Sequence, residues 1–512
     1  MTSTASRLLK NTSWLYAKMG ITMFISLYTT RLILNGLGAS DFGIYNIVGG
    51  TIAMLGFFNA AMASASQRFM SYAEGEGHHE KKIVIFNVSI LLHIIIALVI
   101  GGILILGGYL FFDSIFNIPN DRLFAAKVIY FCLVLSTIIS IMTVPYEAVI
   151  NAHENMKYYA IVGIFESISK LIVAYICVIS SEDKLVVYGI LMSMIPVSIL
   201  FILRTYCYKH YEECHLSIRK YYNKSVAKEM TNFAGWTFLS TATSMSTQYG
   251  MGLVINHFFG VIVNAAHGIA TQLTGMLLAF TSNAQKAFNP IVTKSEGAKD
   301  RNKLIYLSLF GCRISYFIFG FFSIPVIFLM PKVLSLWLID VPNWAVTFCR
   351  LSLLRILSEQ LIISLVTAIN AEGNIKQYCK YRSLSYILPI PILIYLFSEG
   401  YPPYWLYIIW IFAWSIIGGA ITIYYSKKSV GISVASYYKQ VLFPCLLPTI
   451  ISIIPYFFCI IQNCNTNIYY FCAIVQIMLY FMLGICLILN NEERMKLKNT
   501  FIEITRLKIL IK

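Results

Sequence analysis

The chain has 512 residues, of which 58% are hydrophobic and 12% charged, with a mean hydropathy of +0.71 and a formal net charge of +16. Soluble domains carry about 25% charged residues, so this composition excludes a soluble globular fold and points to an all-α polytopic membrane protein. Most of the basic excess lies between apolar runs, where it reports topology; it favours anionic lipid surfaces and is not a nucleic-acid footprint.

About fourteen apolar runs are long enough to cross a hydrocarbon core of about 30 Å. Six fall at 13–36, 42–69, 83–112, 122–150, 158–180 and 185–206, six at 231–257, 262–289, 303–330, 344–371, 378–398 and 403–426, and a final pair at 439–461 and 467–490. The second and eighth are interrupted by Asn46, Asn59, Ser64, Ser66 and Gln67, and by Asn264, His267, Gln272 and Asn283, as suits helices that face a wet interior. Lys and Arg crowd the amino terminus (Arg7, Lys10, Lys18) and the connections after even-numbered runs, including Lys81, Lys82, Lys157, Lys294, Lys376 and Arg382, whereas Arg122, Lys127, Lys184 and Lys332 stand on the other side. That asymmetry predicts cytoplasmic termini.

The sequence is also duplicated. Gly38, the run Ser71 to Gly75 and Lys81 recur in order as Gly260, Thr293 to Gly297 and Lys303, and Ile150-Asn151-Ala152 with Asn155 and Lys157 recurs as Ile369-Asn370-Ala371 with Asn374 and Lys376. Duplicated halves around a central pathway are the usual build of secondary transporters. An even number of spans per half makes the repeat parallel. The expected organisation is a six-helix lobe at 1–206, a basic amphipathic linker at 207–230, a second six-helix lobe at 231–426, an additional helix pair at 439–490 and a basic amphipathic tail at 491–512.

Catalytic motifs are missing. There is no G-x-x-x-x-G-K-[ST] nucleotide loop, and His153-Glu154 meets Lys157 where H-E-x-x-H needs its second histidine. No catalytic residue, metal site or bound cofactor is expected. The twelve cysteines read as small apolar packing residues, with only Cys459 and Cys464 spaced for a conceivable disulfide. No cleavable leader is expected, because the first apolar run lacks a small-residue cleavage pattern.

Charges inside the spans carry what chemistry remains. Placing one at mid-bilayer costs roughly 2.5 to 3.5 kcal/mol on insertion scales, so such groups face protein or water. Arg31, Lys170, Arg313 and Arg355 are the candidate cationic cavity residues; Glu147, Glu166 and Glu359 are candidates for ion coupling or charge pairing. Glu166 with Lys170, and Arg355 with Glu359, are each spaced to meet on one helical face. A cationic excess suits an anionic cargo, and Arg binds phosphoryl oxygens through a planar fork.

The stretch from Arg31 to Gly50, with Gly38, Asp41, Gly43 and Tyr45, followed by Ser64-Ala65-Ser66-Gln67-Arg68-Phe69, resembles the amino-terminal signature of bacterial polysaccharide-biosynthesis flippases of the Wzx type. Ile118-Pro119-Asn120-Asp121-Arg122 and Val144-Pro145-Tyr146-Glu147 extend the likeness. The resemblance implies two six-helix lobes in a V, here with two extra helices, and the translocation of undecaprenyl-pyrophosphate-linked oligosaccharide across the bacterial inner membrane. It implies a cargo-binding role for Arg31, which lies in the matching segment. A proton or sodium gradient is the expected drive, and polysaccharide-assembly proteins are the expected partners. The rival readings are a cation-coupled multidrug exporter of the same superfamily and a membrane polymerase or ligase, the last of which would need a large outer loop.

Overall fold

The computed structural model describes residues 4–53, 56–112, 118–338, 340–461, 466–488 and 494. The tail at 491–512, apart from Arg494, and Cys464 of the conceivable disulfide lie outside the described residues. Every regular element among the described residues is helical. In chain order these are α1 (Thr4–Ala53), α2 (Gly56–Glu76), α3 (His79–Leu110), α4 (Leu123–Ala152), α5 (Met156–Ile179), α6 (Lys184–His210), α7 (Ile218–Tyr221) and α8 (Lys224–Gly297). There follow α9 (Arg301–Trp337), α10 (Ala345–Gln360), α11 (Ile363–Glu372), α12 (Lys376–Ile387), α13 (Pro389–Ser398), α14 (Trp405–Trp410), α15 (Gly418–Tyr425), α16 (Val434–Tyr437), α17 (Phe443–Ile461) and α18 (Thr466–Leu483).

Among the described residues ten helices are long and apolar enough to cross a membrane, or eleven if the bent pair α10 and α11 is one span. Fourteen runs were read from sequence; two of them, 231–257 and 262–289, lie either side of a kink in α8 and count once here, and α1 and α2 are not among the ten. At about 1.5 Å per residue, the 74 residues of α8 are too many for a single span, and they form two helices that meet at a kink. Its break is at Gly260 (φ 78, ψ −177), and α1 breaks in the same way at Gly38 (φ 76, ψ 168). A positive φ is reached readily only without a Cβ, which gives a backbone reason for a glycine at both matched positions.

The duplication is therefore one of backbone as well as sequence. Left-handed residues recur at Gly77 and Lys299, and at Glu154 and Gly373, each pair at corresponding places in the repeat.

The chain folds as two compact units. The first holds residues 11–241 and 293–299; the second holds 1–10, 242–292 and 300–512. The core of the first unit is aliphatic, with Ile100, Leu104, Ala126, Ile129, Val134 and Leu185 buried. Within it the ends of α2 and α8 cross so closely that a Cβ on Gly75 would overlap the Lys294 backbone, and one on Gly297 would overlap the Tyr72 backbone. Position 75 corresponds to 297 in the repeat, and 72 to 294, so the contact is reciprocal.

Asn87 on α3 is fully buried and pins the linker: its Nδ2 donates to His215 O at 3.2 Å, and its Oδ1 accepts from Ser217 N at 2.7 Å. In the second unit α17 and α18 pack on α9. Tyr316 and Thr449 hydroxyls lie 2.9 Å apart, and Phe328 stacks on Tyr456 at 4.1 Å. Outward-facing Leu98, Leu106, Phe201 and Leu336 are 70%, 70%, 70% and 78% exposed; so much apolar surface calls for lipid around it.

Candidate functional site

The second unit encloses a buried cationic and aromatic cluster. α10 and α11 meet at a 43° bend, and Glu359 sits in the last turn before it. One helical turn earlier, Arg355 donates Nη1 to Glu359 Oε1 at 2.8 Å, and its guanidinium lies 5.3 and 5.1 Å from the ring centroids of Trp410 and Trp414. Trp410 ends α14 and Trp414 lies in the π-helical turn that follows, Ile411–Ile417, where the Gly418 N–H bonds back to Ala413 O. Such turns shift the hydrogen-bond ladder by one residue. The Trp414 carbonyl accepts instead from Arg382 Nη1 at 2.7 Å.

Arg382 is the residue that sequence reading misplaced. It was assigned to a cytoplasmic connection, yet α12 starts at Lys376 and carries Arg382 two turns into the packed interior, where it is 5% exposed. Its Nε donates to the Tyr386 hydroxyl at 3.2 Å, and its guanidinium lies 4.8 Å from the Tyr386 ring centroid. Glu359 is within its electrostatic range. A Cβ on Gly418 would occupy the position of Arg382 Nη1, so the glycine makes room for the guanidinium. Beside the cluster His267 Nδ1 and the Tyr407 hydroxyl are 2.8 Å apart. A polar residue four positions from an aromatic one, as in Arg382 and Tyr386, was the signal available in sequence.

Arg355 is 6% exposed and Arg313, on α9, 1%, too enclosed for either to reach water at a membrane surface. The Arg313 guanidinium lies 5.6 Å from the Phe310 ring centroid. Arg350 is a structural group: its Nε donates to Ile327 O at 2.8 Å.

The other expected site residues belong to the first unit. Arg31 is exposed on α1. Glu166 and Lys170 form their pair at 2.6 Å, with side chains 39% and 43% exposed, and an ion pair so exposed adds little stability. Glu147 is half-buried on α4 just after Pro145. It shares the electrostatic surroundings of Tyr159 with Glu166 and Lys18, whose Nζ lies 4.4 Å from the Tyr159 ring centroid. Lys18, which sequence alone places among cytoplasmic anchors, thus joins the mixed-charge set on α1, α4 and α5.

Two ion-pair clusters sit at the ends of the first-unit helices. Arg122 bridges Asp41 and Asp183, with Nε to Asp41 Oδ1 at 2.9 Å and Nη1 to Asp183 Oδ2 at 2.8 Å. The signature residues Asp41 and Arg122 are therefore bound to each other. At the opposite ends, ligand atoms of Glu74, His153 and Glu213 lie within 4.8 Å of one another. These atoms already serve the cluster: His153 Nε2 meets Glu213 Oε1 at 2.5 Å, its Nδ1 is 3.4 Å from Glu74, and Lys82 Nζ holds the other Glu74 oxygen at 2.9 Å. Burial alone would push the Glu213 carboxyl up, but the His153 hydrogen bond and further hydrogen bonds and charges hold it below the ordinary value of 4.5. Lys294 Nζ and Glu154 Oε1 pair nearby at 2.9 Å.

The profile of the family described as "Polysaccharide biosynthesis protein" matches residues 8–295, more than half of the chain. The chain belongs to this polysaccharide biosynthesis family. No curated protein matches it. Among solved structures, this family member resembles an outward-facing multidrug resistance MATE family transporter of the MOP superfamily, with TM-score 0.70 and 12% identity over 84% of this chain and 99% of that one. It also resembles a MATE protein in the straight conformation, with TM-score 0.71 and 12% identity over 84% of this chain and 96% of that one. A third likeness is to a MOP superfamily transporter from Pyrococcus furiosus described as having a binding pocket of reverse polarity, with TM-score 0.67 and 13% identity over 86% of this chain and all of that one. At such identities the likeness shows fold alone. The polysaccharide biosynthesis family member thus shares the fold of these structures, in a multi-pass membrane chain.

Proposed function

We propose that the protein is a flippase that moves undecaprenyl-pyrophosphate-linked oligosaccharide from the cytoplasmic to the outer leaflet of the bacterial inner membrane by alternating access, with both termini in the cytoplasm. The observation that carries this reading is the Arg355 and Arg382 pair: two guanidinium groups removed from water, with Glu359 the carboxylate that Arg355 bonds and Arg382 senses, walled by Trp410, Trp414 and Tyr386. Guanidinium forks suit the clustered oxygens of a pyrophosphate, and indole faces suit sugar rings. Arg31, Lys170 and Arg313 are further cargo-binding candidates. Glu147 and Glu359 are the candidates for coupling to a proton or sodium gradient: Glu359 is bound by Arg355, and Glu147 shares the surroundings of Tyr159 with Lys18 and Glu166. Membership of a polysaccharide biosynthesis family supports a glycan-bearing lipid over a free drug as cargo.

The test is deletion of the gene followed by extraction of lipid-linked intermediates. The reading expects undecaprenyl-linked repeat units to accumulate on the cytoplasmic side and to clear on complementation. If they do not accumulate, while sensitivity to cationic drugs rises, the protein is the multidrug exporter of the same fold.

A further inference from the structure

The head of α8, in the first unit, carries a groove. Its volume is about 770 Å³, and one helical face supplies Lys224, Lys228, Thr231, Asn232, Trp236 and Leu239. Leu92 of α3 and Tyr222 of the linker complete the lining. The lining is graded along the helix: two cations, then two neutral hydrogen-bonding groups, then apolar side chains. At about 1.5 Å per residue, the face runs roughly 22 Å, more than the half-thickness of a hydrocarbon core of about 30 Å.

We propose that this groove binds an anionic phospholipid from the leaflet on the Lys- and Arg-rich side of the membrane. Lys224 and Lys228 meet the phosphate, Thr231 and Asn232 meet the ester region, and an acyl chain lies along Trp236, Leu239 and Leu92. Among the described residues no carboxylate lines the groove; the neighbouring Glu229 is engaged by Ser225 Oγ at 3.3 Å.

The walls are held in place before any lipid arrives. Asn223 accepts from Ser225 N at 2.9 Å and Val226 N at 3.2 Å, which sets the first turn of α8. The linker that carries Tyr222 is clamped by Asn87 through His215 and Ser217. A free phosphate would use only the lysines, and the apolar half of the groove gives the choice of a lipid its physical basis.

The test is native mass spectrometry of the full-length protein in neutral detergent, titrated with phosphatidylglycerol or phosphatidylcholine of identical chains. Phosphatidylglycerol is expected to bind preferentially, and Lys224→Gln with Lys228→Gln to weaken it about thirtyfold, while Lys224→Arg with Lys228→Arg keeps it. Gly235, in the groove with open space where a Cβ would stand, gives a second variant: Gly235→Leu fills the groove, leaves both lysines, and is expected to abolish the preference. Equal binding of the two lipids, displacement by inorganic phosphate, or a preference that survives Gly235→Leu would overturn the proposal.

Discussion

Replacing Arg350 with alanine is expected to destabilise the second unit, and replacing Pro331 with alanine in the same chain is expected to restore much of the loss. Pro331 lies inside α9 and has no N–H, so the carbonyl of Ile327, four residues earlier, lacks its helical donor. Arg350 fills the gap from α10, with Nε on Ile327 O at 2.8 Å and Nη2 on Phe328 O at 3.4 Å. The longer contact is weak; the shorter is a charge-assisted bond in an enclosed setting. Removing the guanidinium leaves a carbonyl with no donor, at a cost of about 1–3 kcal/mol. A backbone N–H at position 331 meets the same carbonyl, so the second substitution should return roughly 1–2 kcal/mol of it, as a coupling between the sites. The assay is the thermal midpoint of the detergent-solubilised full chain for wild type, Arg350→Ala, Pro331→Ala and the double variant. Additive losses would refute the reasoning, because they would mean that Arg350 does not act through the carbonyl that Pro331 exposes.

Gly418→Ala is expected to displace Arg382 and cost about 1–3 kcal/mol through overpacking, with loss of transport, whereas Gly419→Ala, where a Cβ meets nothing within 4 Å, should leave both stability and transport intact. Arg355→Ala should abolish export and Arg355→Lys restore it only partly, read by accumulation of lipid-linked intermediates, because a lysine keeps the charge and loses the fork. The Asp183 carboxyl, raised by burial but lowered further by its hydrogen bonds from Arg122, stands below its ordinary value of 3.8. Its contribution to stability is therefore full above pH 3.8 and is lost as the pH falls through the depressed value; Arg122→Gln should shrink that acid dependence of the melting profile, leaving the part due to the Val186 and Leu185 N–H groups. By the same sign, Glu213 holds the linker above pH 4.5 and releases it as pH falls through its lowered value. Hydrogen exchange of residues 211–217 should rise on acidification in wild type and be fast at all pH in Glu213→Gln.

The fold class was legible because membrane spans are written in long apolar runs and because the repeat preserves residues that the backbone demands. Gly38 and Gly260 are readable as a pair, and both turn out to hold the same positive φ. That the two helices meet directly at Gly260, with no loop between them, was not readable, since a glycine between two apolar runs suggests a loop as readily as a kink. Local charge pairs were legible too: the spacing of Arg355 and Glu359 suffices to predict their contact. Arg382 and Lys18 were not, because a basic residue near a span end is read as a topological anchor, and only tertiary packing tells an anchor from a buried group. Asn87 was equally silent: its partners are backbone atoms of the linker more than a hundred residues away, which leave no side-chain pattern to match.

Translocation itself tests the central claim most directly. The purified chain is reconstituted into liposomes carrying undecaprenyl-pyrophosphate-linked oligosaccharide on one leaflet, and the fraction of glycan reached by a lectin added to the other side is followed under an imposed proton or sodium gradient. The account predicts protein-dependent, gradient-dependent exposure that Arg355→Ala and Arg382→Ala each remove. Exposure at the rate of empty liposomes by a folded wild-type protein, or exposure indifferent to both arginines, would contradict it.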